Sequence, residues 1–174
     1  MGLFNLFKKN KVALYSKYHL EKADKLIKSA YIHAVSTYVP LLDKFPEVEV
    51  VADSNLLEFW DYLITIAGVG TAFMEIADTV PEKDQPGICY AIQKKLNEWQ
   101  SNSYHAMVDF VNYVSKLVDS GVEIPDAIGG WIWVNLEKHD QSNQQLRELA
   151  SSLKLVRVVG LPILMAFHNW WKQK

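Results

Sequence analysis

Two stretches of this chain, Tyr62–Met74 and Val158–Trp171, contain no Asp, Glu, Lys or Arg and are apolar around most of a helical wheel. As helices, each is about 20 Å long at a rise of about 1.5 Å per residue. A bilayer core is roughly 30 Å thick, so neither run spans one comfortably. A helix that is apolar on every side must be enclosed, and the nearest cover is the chain's own amphipathic segments. The expectation is an all-α, compact single-domain bundle over residues 1–174, with about five to six helices and these two at its centre. Residues 1–14 are expected as an amphipathic segment at its periphery.

The length of 174 residues suits one domain with a core that needs no staples. Hydrophobic residues at 49% against 22% charged exclude disorder as the default state. Cys89 is the single cysteine, so an intramolecular disulfide and a cysteine-based zinc site are both excluded. It sits beside Ile88 and Ile92 in an apolar helical pattern and reads as a small core residue, and a reducing cytoplasm fits this usage.

Charge is unevenly spread. Residues 1–44 hold eight lysines against Glu21, Asp24 and Asp43, a net +5; the rest holds ten bases against seventeen acids, a net −7. A basic end and an acidic body attract each other within a chain or between chains. Nucleic acid is not an expected partner. The only arginines are Arg147 and Arg157, and neither lies in the basic segment. Met1–Lys11 places Leu3, Phe4, Leu6 and Phe7 before its lysines, the reverse of a signal peptide. Gly2 without Ser or Thr at position 6 fails the myristoylation pattern. A short docked helix is preferred here to a membrane-surface foot.

Along the chain, Leu20, Ala23, Ile27, Ala30, Ala34 and Tyr38 line one face of a helix from about Ser16 to Val39. Pro40 is expected to disturb or end it, and Pro46 to stop any continuation. Glu47–Asp53 reads as an extended linker. A second helix starts near Asp53–Asn55, with Asn55 and Glu58 in a capping-box pattern. Gly68 and Gly70 inside it are read as a close-packing contact. Asp84 or Gln85 caps a third helix, with Pro86 in its first turn. Its apolar repeat continues to Leu117, and the polar Gln100–Ser103 leaves open whether one helix or two cover 86–119. Ser120–Gly121 ends it. Pro125–His139 is read as helix, despite Gly129–Gly130 and the β-prone Trp131–Val134. Ser142 with Gln145 opens the last helix, whose seam runs Leu149, Leu153, Val156, Gly160, Ile163, Phe167 and Trp170, with a kink expected at Pro162. Trp170–Trp171 and the basic residues around this run resemble the flanks of a membrane segment. Its length and the polar His168 favour burial in protein.

Chemistry-bearing patterns are weak. His105 and Asp109 share a helix face and are the best metal-ligand candidates, but no Glu-x-x-His accompanies them. Glu58/Asp61 and Glu75/Asp78 read as solvated helix ends. The adjacent His139–Asp140 pair lacks the partners that a phosphohydrolase site requires. Neither a Gly-x-Ser-x-Gly nor a phosphate-cradling glycine loop occurs, and no catalytic residue or cofactor is assigned. The reading favoured is a non-enzymatic intracellular protein that binds a protein partner or a copy of itself, with Trp131, Trp133, Trp170 and Trp171 as candidate surface residues. An alternative is a bundle holding a metal ion or a haem-like apolar ligand, with His33, His105 or His168 as axial ligand. A second alternative is a peripheral membrane protein.

Overall fold

The computed structural model describes residues 15–44, 54–139 and 153–172. Among these residues the chain is all-helical, without strands. Seven α-helices follow in order: α1 (Lys17–Lys44), α2 (Ser54–Met74), α3 (Ile76–Thr79), α4 (Gln85–Trp99), α5 (Ser103–Asp119), α6 (Ile124–His139) and α7 (Leu153–Phe167). A short 3-10 turn covers Trp170–Lys172. The expectations for Met1–Lys11, Glu47–Asp53, Asp140 and the Ser142–Gln145 cap fall outside the described residues.

The apolar run of α2 is the hub. Every residue from Leu63 to Phe73 is buried, and the helix packs against α1, α5, α6 and α7. Its two glycines are seats for neighbouring rings. A Cβ on Gly70 would enter the Phe110 ring of α5. At Gly68 a Cβ would lie 2.9 Å from Phe167 of α7 and 3.2 Å from Ala30 of α1. These residues therefore let three helices close on a fourth, and the price of glycine in a helix interior, about 1 kcal/mol against alanine, is offset by that packing.

The second run is enclosed on one side only. Val156, Val159, Gly160, Ile163 and Phe167 of α7 face inward, whereas Leu161 is 39% and Met165 74% exposed. The inward seam follows the alternating steps of four and three read from the sequence. Pro162 lies inside the helix and does not interrupt it.

α6 and α7 meet backbone to backbone. A Cβ on Gly129 would run into the Val156 carbonyl, and one on Gly160 into the Pro125 carbonyl. The two backbones thus touch directly at a glycine from each helix. Arg157 holds the same crossing at its rim, 2.8 Å from Glu123 Oε2 and 3.4 Å from Asp126 Oδ2.

Helix boundaries follow local chemistry. α1 continues through Pro40 to Lys44 instead of ending there. The 86–119 segment splits into two helices: Gln100 is extended and Asn102 adopts a left-handed φ of 65°, a conformation asparagine tolerates better than most residues. α5 ends in a Schellman turn. Val122 N–H donates to the Leu117 carbonyl, Gly121 N–H to that of Val118, and Gly121 has φ 92°. The Gly129–Gly130 pair is accommodated within α6, which runs unbroken to His139.

Candidate protein-interaction surface

The five histidines separate into different settings. His19 is buried at the start of α1. Its Nδ1 accepts from the Ser16 backbone N–H at 3.1 Å, and its Nε2 lies 3.5 Å from Asp84 Oδ1. Gly87 leaves the room its ring needs. Asp84 precedes α4 as expected, but its carboxylate turns to His19 and makes no cap bond. Ser16 Oγ accepts from the His19 backbone N–H at 3.4 Å. The Ser, His and Asp therefore tie α1 to α4; the serine hydroxyl is engaged with backbone and not with the imidazole ring.

His33 sits edge-on to Phe167, with ring centroids 5.6 Å apart. Its buried Nε2 has no hydrogen-bond partner among the described residues, and burial pushes its pKa down from the ordinary value. His168 belongs to a clasp at the end of α7. Its Nδ1 meets Glu75 Oε1, while Glu75 Oε2 accepts the Asn169 N–H at 2.6 Å. His105 and Asp109 lie exposed, one turn apart on α5. Among the described residues no three His, Cys, Asp or Glu side chains gather where one metal ion would take them. Cys89 is buried, and desolvation pushes its thiol up to about 12.

The four candidate tryptophans divide into two pairs. Trp131 and Trp133 lie in the core, Trp131 edge-on to Phe110 and Trp133 edge-on to Trp60. Their burial removes them from the surface expected of them, because α6 turns this β-prone stretch inward. Trp170 and Trp171 are half-buried. Trp171 Nε1 donates to the Ala72 carbonyl at 2.7 Å, and Trp170 packs on Phe167. Trp171 fastens the end of α7 to the end of α2, and Trp170 covers Phe167.

A different set of rings forms the continuous aromatic face. Tyr31 of α1 meets Trp99 of α4 at 6.3 Å, and Trp99 stacks on Tyr62 of α2 at 5.8 Å and 10°. Tyr62 stacks on Phe59 at 5.9 Å and 17°, and Phe59 on His139 of α6 at 4.1 Å and 19°. Ring separations of this size are those of favourable offset pairs. None of the five rings is fully buried, and Tyr31 is 45% exposed. Burial pushes the Tyr62 hydroxyl above its ordinary pKa, so it stays neutral. The face continues along α1, where Ile32 is 67% and Val35 48% exposed. On that outer stripe α1 changes from charged (Lys17, Glu21, Lys25, Lys28) to apolar.

No local pattern marks this ladder, because its rings come from four different helices. Ile32 and Val35, off the Ala23–Ala34 face of α1, were the legible signal.

Comparison with protein-family models, with curated proteins and with solved structures finds no match to this chain. No described helix is long and apolar enough to cross a membrane.

Proposed function

We propose that this chain is a non-enzymatic, cytoplasmic helical module that works by binding another protein through the aromatic face of α1, α2, α4 and α6. One observation carries the reading. Five rings in contact run across four helices, with Trp99, Tyr62, Phe59 and His139 stacked and Tyr31 tilted against Trp99, three of the five half-buried, and α1 adds the exposed Ile32 and Val35 beside Tyr31. Aromatic anchors and neighbouring aliphatic groups supply a disproportionate share of interface energy, and contiguous apolar surface marks interaction sites. The settings of His19, His33 and His168 agree with this, since each is used in holding helices together. Capture from the native host with wild-type protein and with Ile32→Glu/Val35→Glu tests it. Both residues are exposed, so the variant is expected to fold. A partner held by the wild type and lost by the variant is the expected result; an identical set of captured proteins overturns the reading.

A further inference from the structure

The end of α2 away from the aromatic face carries a second arrangement, about 15 Å along the helix from Tyr62. α2 gives way to α3 at Glu75, and two acceptors stand at this break. One is the Glu75 carboxylate, which is 18% exposed; the other is the Ala72 carbonyl. Three donors meet them from the residues after Phe167. His168 Nδ1 meets Glu75 Oε1, Asn169 N–H donates to Glu75 Oε2 at 2.6 Å, and Trp171 Nε1 donates to the Ala72 carbonyl at 2.7 Å. Asn169 takes a left-handed φ of 59°, where the chain leaves the line of α7. None of residues 168–172 is fully buried. Phe167 just before them is 2% exposed, seated at Gly68, edge-on to His33 and covered by Trp170. Polar bonds therefore hold residues 168–172 in place, whereas an apolar seam and a backbone contact hold α7.

We infer that residues 168–172 form an acid-released strap, which stays on the end of α2 while Glu75 is ionised and lifts away when Glu75 takes up a proton, uncovering Phe167 and its seat at Gly68. One carboxylate serves two donors here. In the ionised form each oxygen accepts one bond, and bonds to a charged acceptor are the stronger kind. The imidazole donates through Nδ1 both when charged and in its neutral Nδ1–H tautomer, so titration of the ring leaves the contact standing. Protonation of Glu75 places a hydrogen on one oxygen, and that oxygen then turns a donor toward a donor. A charged imidazole has no lone pair to accept it, and neither has a backbone N–H. The other titratable groups around the strap are engaged elsewhere or face solvent. Lys172 Nζ is 2.8 Å from Asn169 Oδ1, Asp78 is exposed on α3, and the ring contact of His33 on α1 is with Phe167.

Hydrogen exchange of the purified full-length chain, followed by NMR from neutral pH down through the range in which carboxylates titrate, tests this. Rates are compared as protection factors, because intrinsic exchange itself varies with pH. Asn169 N–H and Trp171 Nε1–H are expected to lose protection together, by about tenfold or more. The amides of Leu63–Phe73 and the Trp133 Nε1–H are expected to keep theirs. Glu75→Gln cannot gain the proton and turns an amide donor toward the same two donors. It is expected to show the low protection of the acid form already at neutral pH, with unchanged circular dichroism and no further response to acid. His33→Phe is expected to respond as the wild type does. Strap protons that stay protected throughout, or that lose protection only together with the core amides, overturn the inference. So does a Glu75→Gln variant that titrates like the wild type. A response that disappears in His33→Phe places the sensor on α1 and overturns the role of Glu75. Should Glu75→Gln fail to fold, the wild-type and His33→Phe titrations still decide whether the strap opens apart from the core and which group triggers it.

Discussion

The runs at 62–74 and 158–171 look alike in composition, yet α2 is sheathed on all sides and α7 on one. Both contain glycine, and the glycines act differently. Those of α2 receive rings, Phe110 at Gly70 and Phe167 at Gly68, whereas Gly160 of α7 receives backbone. A ring seat draws in side chains from several directions, which suits a hub. A backbone contact favours one neighbour only and leaves the opposite face to solvent. Lack of charge thus reports that a segment is apolar enough to bury, while the arrangement of small residues decides from how many directions it is buried.

Substitutions that separate the two helices test this contrast. The largest effect is expected for Phe110→Ala, which empties the seat on α2 at a cost of about 3–5 kcal/mol; chemical denaturation of the purified protein measures it. Gly160→Ala is expected to cost about 1–3 kcal/mol by forcing a methyl group onto a carbonyl that cannot step aside. If Gly160→Ala were harmless in the same assay, the backbone contact would not be what fixes α7. Trp171→Phe keeps an aromatic ring but removes the Nε1 bond to Ala72 and part of the indole's packing, for an expected loss of about 1–2 kcal/mol. A differential scan of the variant shows whether the clasp contributes.

His33 lies at the joint between the two regions, because Phe167 packs on it and also against Gly68. Its folded pKa is held below the ordinary value of 6.5. The unfolded chain therefore takes up its proton first as pH falls, and native stability drops below about pH 6.5 until the folded form protonates as well. His33→Phe is expected to flatten that part of the stability–pH curve; an unchanged slope would assign the acid sensitivity elsewhere. The smallest effect is expected at the open side of α7. Met165→Lys should stay within about 0.5 kcal/mol of wild type, and a loss comparable to that of Phe110→Ala would mean that this face is covered.

Much of the architecture could be read in advance from spacing. Apolar steps of three and four located α2 and the inward seam of α7, and Gly68 and Gly70 were legible as close packing because they interrupt an otherwise bulky run. Gly129 was not. In one dimension it only weakens a helix, and its partner, the Val156 carbonyl, lies 27 residues further along. Trp131 and Trp133 drew attention as surface aromatics, yet burial is set by which side of α6 meets α2 and α5, and a local pattern does not contain that. The break at Gln100–Ser103 rests on the extended Gln100 and on Asn102, which accepts a left-handed backbone. The aromatic ladder was hidden for the same reason as Gly129, since its rings come from four helices and acquire meaning only once these are side by side.

The contact of Gly129 and Gly160 also restricts how this molecule can move. Helices separated by side chains can slip past one another by small rotamer changes, the shear motion common in packed helical proteins. Where carbonyls rest in a notch on the neighbouring backbone, sliding is blocked in both directions, and α6 with α7 must swing as one rigid lever. Hydrogen exchange should reveal this as a shared opening event for the amides of both helices, slower than the fraying of either end.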